Sequence, residues 1–180
     1  DADGNTSFDS TTLASQLDAM SLGELNQEET DGLLLMREEE KLARDVYLAL
    51  YEIHGLTIFN NISSSEQTHT DAVLALLDRY SLTDPVGENA IGMFENVDLK
   101  QLHDALVARG TNSLEVAFFV GAEIDELDIS DIEHLKLQVL GNDDIVLVYD
   151  NLLKASRNHL RSFYRQIESN GGTYTPTHIS

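Results

Sequence analysis

Residues 33–55 read LLLMREEEKLARDVYLALYEIHG, and their apolar pattern is the first indication of the fold class. Its apolar residues recur every three or four positions, which is the period of one face of an α-helix. The stripe consists of Leu33, Met36, Glu40, Ala43, Tyr47 and Leu50. No proline interrupts the pattern between Leu22 and His54, and Gly55 is a typical residue for a helix end. The sequence therefore predicts one long helix over residues 22–54.

The same period predicts four further helices, of which one is short. They cover residues 63–80, 99–108, 113–139 and 144–168. Ser63 and Ser113 are the expected N-caps, and an interruption of the third long helix near Asp128 is left open. Residues 81–97 contain a proline and two glycines and form the clearest loop.

No segment has a convincing strand period, because the apolar run at 145–149 continues a helical stripe. The predicted fold class is therefore all-α. Four long helices with a long central connection make a four-helix bundle the leading architecture, with one or two short additional helices.

Composition excludes several classes of function. The chain has 180 residues, enough for one domain with a buried core. It carries 32 Asp and Glu against 11 Lys and Arg, a net charge of −21, which disfavours nucleic acid and anionic membranes and attracts cations. No apolar run approaches the roughly 20 residues of a membrane span. Cysteine is absent, so any metal must be held by carboxylate and imidazole groups.

The chain divides into three predicted parts. Residues 1–21 are rich in Asp, Ser and Thr and are expected to be a flexible lead-in, residues 22–170 to be the helical bundle, and residues 171–180 to be a C-terminal tail. The chain begins at Asp1 without a methionine, which we interpret as the trace of a removed signal peptide. A periplasmic or extracellular location is expected, and a cytoplasmic one is left open.

Acidic and histidine residues fall on the apolar stripes of the long helices, where an unpaired charge is costly to bury. Listed from the first long helix to the fourth, they are Glu40, Glu66 with His69, Glu123 with Glu126, and His159. A lone buried carboxylate takes up a proton, and several together repel one another. A divalent or trivalent cation resolves both problems, and this ligand chemistry suits iron, manganese or zinc.

Glu66 and His69 also have a simpler interpretation. In SSSEQTHT (63–70), Glu66 can be an acid in the first turn of a capped helix, and His69 a histidine satisfied within the core. Asp131 and His134 have the same spacing, so spacing alone does not select a site.

The remaining candidates also have simpler explanations when each is taken alone. Glu39 lies on a rival stripe to that of Glu40, Glu123 and Glu126 belong to an acidic stretch, and His159 can be an ordinary core or surface histidine. Their joint occurrence counts for more, because inward carboxylates and histidines on four long helices are the arrangement of a carboxylate-bridged dimetal site.

Five sequence blocks carry a family resemblance: MREEEKLARDVY (36–47), SSEQTHTDAV (64–73), GAEIDELDI (121–129), NLLKASRNHLRSF (151–163) and YTPTHIS (174–180). Together they resemble the ferritin-like superfamily and, more narrowly, a domain-of-unknown-function family within it that is found in bacteria and archaea. The resemblance covers about residues 30–180.

The resemblance implies a site for two iron ions, with manganese or zinc as alternatives. Its implied members are Glu40 as the first-helix ligand, Tyr47 as its hydrogen-bonding neighbour and the candidate catalytic residue, Glu66 as the bridging carboxylate with His69 as its partner, Glu126 or Glu123 as the third-helix carboxylate, and His159 as the fourth-helix imidazole. The sequence departs from the ferritin-like pattern at Ser156, where a second Glu-x-x-His motif would have glutamate.

The function implied by this resemblance is that of a non-haem di-iron oxidoreductase, a ferroxidase or peroxide scavenger that uses O2 or peroxide. One alternative is a non-catalytic acidic protein that sequesters iron, zinc or calcium. Another is a bundle that acts only as an interaction module. Metal ions are the expected partners, and a homodimer is left open.

Overall fold

The computed structural model describes residues 10–179, and the described residues are helical without a strand. They form six helices: α1 (Ser10–Asp18), α2 (Gln27–His54), α3 (Thr57–Arg79), α4 (Val97–Gly110), α5 (Leu114–Lys136) and α6 (Asp143–Ser169). The all-α prediction is confirmed. Between residues 10 and 179, no helix is both long and apolar enough to cross a membrane.

Helix α2 begins later than the sequence analysis predicted, at Gln27 and not at Leu22. The cause is a capping box: the Asn26 side chain accepts a hydrogen bond from the Glu29 backbone N–H, and the Glu29 carboxylate accepts one from the Asn26 backbone N–H. The predicted end is confirmed, because Gly55 stands in the left-handed region with φ of 68° and closes the helix.

The prediction that α3 begins at a Ser63 cap is wrong. Only Gly55 and Leu56 separate α2 from α3, which begins at Thr57. The Ser63 hydroxyl donates back to the Asn60 carbonyl inside the helix, as a serine within a helix does, and caps nothing. Residues 63–70 therefore lie in the middle of α3.

The other ends differ by smaller amounts. The Ser113 cap is confirmed, since its hydroxyl accepts a hydrogen bond from the Val116 backbone N–H. Helix α5 runs on to Lys136 without the interruption that was left open near Asp128. Helix α1 lies in the segment expected to be a flexible lead-in; its Leu13 side chain is buried, so packing supplies order that the local composition did not predict. Residues 1–9 of that segment lie outside the described residues.

The four long helices pack in two pairs. Helix α2 packs along α3, and α5 packs along α6. The pairs meet where α2 contacts α5 and where α3 contacts α6, while α4 covers α2 and α5 and α1 contacts α3. The two-residue turn between α2 and α3 requires these helices to be antiparallel.

Two apolar cores lie along the packed helices. Each long helix contributes residues to both cores, and a short run of residues that belong to neither core separates the two sets. One core takes Ala43 and the other Met36, and Glu40 stands between these residues on α2. On α6, His159 stands between Leu152 of one core and Phe163 of the other. The polar residues on the apolar stripes thus form a layer between two hydrophobic cores.

The crossover segment between α3 and α4 is anchored by charged residues of α2. The Arg37 guanidinium donates two hydrogen bonds to the Asp84 carboxylate, at 2.9 and 3.0 Å. The Glu38 carboxylate accepts a hydrogen bond of 2.7 Å from the Glu95 backbone N–H. Arg37 and Glu38, two of the charges in MREEEKLARDVY (36–47), therefore hold the connection in place and are not part of a solvated face.

Lys41 and Asp45 form the most buried of these anchors. Both side chains have no exposed surface and form an ion pair one turn apart. The Lys41 ammonium also donates to the Ala90 carbonyl at 3.0 Å, and Asp45 accepts from the Gly92 backbone N–H at 2.9 Å. Gly92 has φ of 74°, a conformation that glycine adopts without strain. This pair fixes the crossover against α2.

Candidate metal centre

Three carboxylates and two imidazoles converge in the polar layer. They are Glu40 from α2, Glu66 and His69 from α3, Asp125 from α5 and His159 from α6. All five side chains are buried. Each of the four long helices therefore supplies at least one group, although only the packing of all four brings the groups together.

Glu66 lies at the centre, between the two histidines. Its Oε2 is 2.6 Å from His69 Nδ1, and its Oε1 is 3.0 Å from His159 Nδ1. The two imidazole rings face each other, with centroids 5.6 Å apart and planes inclined by 16°. The Glu66 carboxylate thus contacts both rings, one through each of its oxygens.

The outer carboxylates complete two groups of three. Glu40 Oε2 lies 3.2 Å from His69 Nδ1, and Asp125 Oδ1 lies 3.7 Å from His159 Nδ1. Glu40, Glu66 and His69 form one triad, and Glu66, Asp125 and His159 form the other. Within each triad the potential ligand atoms all lie within 4.8 Å of one another.

The helical spacing of Glu66 and His69 explains their meeting. Residues three apart in a helix share a face, so both side chains leave α3 toward the same neighbours. Asp131 and His134 have the same spacing, but His134 is exposed at the end of α5 and belongs to neither triad. Burial within the bundle therefore distinguishes Glu66 and His69 from Asp131 and His134, which the spacing alone could not do.

On α5 the acid of the triads is Asp125, and neither Glu123 nor Glu126 belongs to a triad. Glu123 is partly exposed and pairs with Arg109 of α4. Glu126 is buried elsewhere, where its Oε2 accepts a 2.9 Å hydrogen bond from the Thr177 backbone N–H of the C-terminal tail.

The expectation of Glu123 and Glu126 depends on an inward face counted from Phe119, which they follow by four and seven residues. The buried face instead runs through Phe118, whose side chain is 1% exposed, and Asp125 follows it by seven residues. Phe119 is only partly buried, against Tyr174 of the tail. A stripe beginning one residue earlier would have found Asp125.

Tyr47 is buried next to the second triad. Its hydroxyl lies 3.2 Å from both the Gly121 carbonyl and Asp125 Oδ1, and its ring stacks on Phe163 at 5.5 Å. A Cβ atom on Gly121 would lie 2.5 Å from the Phe163 ring, so glycine permits this close approach. Tyr47 therefore contacts a candidate ligand without belonging to either triad.

Ser156, which stands where the family resemblance would place a glutamate, is buried. Its hydroxyl lies within hydrogen-bond distance of both the Asp128 carboxylate of α5 and the Leu152 carbonyl, and its single hydrogen can go to either. Asp128 was not among the site residues expected from the sequence. Helix α5 thus directs two acids one turn apart, Asp125 and Asp128, toward the polar layer, while α6 contributes only His159 to the triads.

The electrostatics of the metal-free site are dominated by burial. Burial raises the pKa of Glu40 to about 7, although His69 opposes the shift. Burial likewise raises the pKa of Asp125 to about 7, with His159 opposing. Burial alone would raise the pKa of Glu66, but the two adjacent imidazoles outweigh it and hold that pKa below its usual range.

The histidines respond to the same contacts in the opposite sense. Burial lowers the pKa of His159, but Glu66 and Asp125 outweigh burial and raise it to about 9. For His69, Glu66 and Glu40 likewise outweigh burial and hold the pKa well above its usual value. In the absence of metal, protons on the imidazoles compensate the buried carboxylates.

Comparison with known proteins places this chain in a family. The model of the family described as uncharacterized protein domain DUF2202 matches residues 29–180. This chain is a member of the DUF2202 family. The matched range contains all five triad residues.

A relative of this DUF2202 chain is the uncharacterized protein MJ0754 of Methanocaldococcus jannaschii. The two are 50% identical over 156 residues, which is 87% of this chain and 84% of the relative. A solved structure titled as that of the hypothetical protein MJ0754 from Methanococcus jannaschii superimposes with a TM-score of 0.88 at 48% identity, covering 90% of this chain and 92% of the other. The family expected from the sequence blocks, a domain of unknown function, is confirmed.

The metal-free DUF2202 protein is expected to lose stability as the pH rises from about 5 to about 9. Glu40 and Asp125 have folded pKa values of about 7, above the ordinary carboxyl values, so their protons stabilise the fold at low pH and this contribution is lost as the pH rises through 7. The pKa of His159 exceeds its ordinary 6.5, so its contribution is complete below pH 6.5 and is lost as the pH rises through about 9.

Thermal melts of chelator-treated protein across this pH range would measure the effect. Glu66 does not oppose the trend, because its lowered pKa makes its contribution complete above its ordinary 4.5. Glu40→Gln should flatten the fall below pH 7, whereas Glu123→Gln, outside both triads, should leave it unchanged. A melting temperature that rises steadily from pH 5 to pH 9 would contradict the expectation.

Proposed function

We propose that this DUF2202 protein is a ferritin-like metalloprotein that binds two metal ions, and that it acts as a non-haem di-iron oxidoreductase of the ferroxidase or peroxide-scavenging type. The observation that carries the proposal is the shared carboxylate: Glu66 directs one oxygen to His69 and the other to His159, and each histidine has its own further carboxylate. Two positions that share one bridging carboxylate are the arrangement of dimetal carboxylate sites in helical bundles.

The helix order supports a ferritin-like four-helix bundle. Helices α2 and α3 form one antiparallel hairpin, α5 and α6 pack as the second pair, and the segment that includes α4 connects them. One long crossover between two helical hairpins is the connection that distinguishes ferritin-like bundles from up-down bundles. The candidate ligands project inward from all four long helices, as that architecture requires.

The buried carboxylate oxygens of the site are better explained by a bound cation than by a site that binds nothing. Glu40 Oε1 and Asp125 Oδ2 are buried and have no hydrogen-bond partner among residues 10–179. Such atoms cost free energy unless something binds them. With only carboxylate and imidazole donors, the site suits iron, manganese or zinc.

Each residue then has a defined task. Glu40 and His69 would hold one ion, Asp125 and His159 would hold the other, and Glu66 would bridge them. Bound iron would supply one-electron redox chemistry toward O2 or peroxide. Tyr47 donates its hydroxyl hydrogen toward Asp125 or Gly121 and thereby orients the carboxylate of the second position.

The alternative is a non-catalytic protein that sequesters metal at the same place. The Ser156–Asp128 contact favours it, because α6 presents a hydroxyl where the ferritin-like pattern has a second glutamate. Loss of that carboxylate leaves the site with fewer anionic ligands for a more highly charged oxidised metal. Calcium fits this alternative less well than iron or zinc, because both triads contain an imidazole and calcium prefers oxygen ligands.

The test is to add iron(II) anaerobically to chelator-treated protein and then to admit O2 or peroxide. The proposal predicts two iron ions per chain and an absorbance increase that depends on the oxidant. His69→Ala should abolish the fast increase, while His134→Ala, which changes an exposed histidine on α5, should not.

Two results would separate the functions. Tight binding of two ions without accelerated iron oxidation would support sequestration over catalysis. Failure of the wild-type protein to retain iron, manganese or zinc would overturn both.

A further inference from the structure

One buried hydroxyl lies between the two histidines on the side opposite Glu66. Ser65 Oγ is 3.1 Å from His159 Nε2 and 3.4 Å from His69 Nε2. Ser65 is 1% exposed, and both imidazoles have no exposed surface. A single side chain of α3 therefore contacts both rings, one from its own helix and one from α6.

The two rings present the same atoms to the same neighbours. In both, Nδ1 faces a Glu66 oxygen and Nε2 faces the Ser65 hydroxyl. A neutral imidazole carries its hydrogen on one nitrogen and offers the other as acceptor or metal ligand. A hydrogen-bond acceptor next to one ring nitrogen keeps the hydrogen on that nitrogen. The other nitrogen is then the one that binds metal.

A serine hydroxyl is suited to serve two rings at once. Its oxygen has two lone pairs, so it can accept an Nε2–H hydrogen bond from each histidine. Both imidazoles are then held in the form that carries hydrogen on Nε2, and both Nδ1 atoms remain available on the Glu66 side.

We propose that Ser65 is a positioning residue for both metal positions, which selects Nδ1 as the ligand atom of His69 and of His159 and holds the two rings in register. This inference rests on the proposed function, because it concerns how the chain prepares its own imidazoles for metal. It also predicts different roles for the serines of SSSEQTHT (63–70), because Ser64 is exposed and donates to the Asn60 carbonyl.

The experiment is a zinc titration of chelator-treated wild-type, Ser65→Ala and Ser64→Ala proteins by calorimetry. Zinc is redox-silent, so the readout is affinity and not activity. Ser65→Ala is expected to weaken both zinc positions, each by about 10- to 100-fold, the range typical of residues that orient metal ligands. Ser64→Ala removes the same single oxygen atom, but from an exposed side chain that donates to the Asn60 carbonyl, so it is expected to match wild type.

Nitrogen-15 NMR of the zinc-loaded proteins adds a second readout. In wild type, His69 and His159 should each carry a slowly exchanging hydrogen on Nε2, and in Ser65→Ala both should exchange faster. A merely structural serine would not change the imidazole hydrogens selectively. Thermal melts confirm folding, and Ser65→Ala should fold, since it removes a single oxygen atom from a helix and alanine favours helix.

The outcomes are distinct. Weakening of both positions with loss of both protected hydrogens supports the proposal. Unchanged affinities and hydrogens, or an effect on one position alone, would overturn it while leaving the proposed function intact. If wild type binds no zinc and no iron, the proposed function fails and the role of Ser65 fails with it.

Discussion

Glu66→Gln is expected to abolish tight metal binding at both positions, whereas Glu40→Gln or Asp125→Asn is expected to weaken one position only. Glu66 is the single member that the two triads share, and glutamine keeps its size while removing its charge. Loss of a direct ligand should weaken metal affinity by more than the roughly 10- to 100-fold that is typical when an outer residue is changed. Metal content per chain after dialysis, measured by elemental analysis with zinc and with iron(II), gives the result.

Glu123→Gln provides the matched control. It makes the same chemical change on the same bundle, but Glu123 pairs with Arg109 away from both triads. We expect it to retain wild-type metal content. A Glu66→Gln protein that still holds two ions would exclude the bridging arrangement, and loss of both ions in Glu40→Gln would mean that the positions are not separable.

Lys41→Met is expected to reduce the free energy of unfolding by about 3 kcal/mol, at the low end of the cost of breaking a buried ion pair. The change leaves Asp45 buried without its ammonium partner and removes the donor to the Ala90 carbonyl. Arg44 still pairs with Asp45, which is why the low end applies. Urea denaturation followed by circular dichroism measures the loss.

Lys100→Met is the control for this prediction. Lys100 and Asp104 have the same spacing of four residues on α4, but both lie at the surface, where an ion pair contributes little. No clear change in stability is expected there. Equal effects of the two substitutions would show that burial of the Lys41 pair does not determine its contribution, and no effect of Lys41→Met would show that the crossover does not depend on it.

Much of the fold was predictable from periodicity. The long helical stripe ending at Gly55 and the Ser113 cap follow from local rules, because a helix end is stabilised by neighbours in the sequence. The start of α3 was not predictable in this way. Its N-cap residue, Leu56, makes no side-chain capping bond, so Ser63 gave a false signal inside the helix.

The candidate site was predictable in part for the same reason. Glu40, Glu66, His69 and His159 stand where an apolar stripe calls for a core residue, and the structure brings all four into the triads. Asp125 was missed because several registers were open on α5, whose apolar residues surround the helix more evenly than those of α2. A shift of one residue turns a helical side chain by about 100°.

Composition and periodicity were enough to predict that this protein is all-helical, acidic and free of cysteine, and that its inward polar residues are carboxylates and imidazoles. Those properties depend on composition and on contacts within a few residues of the chain. The packed structure was needed to show that Glu66 faces both histidines, that Asp125 supplies the fifth group and that Ser65 contacts the two rings. These contacts link residues of α3, α5 and α6 that lie far apart in the chain, and the packing of whole helices fixes them.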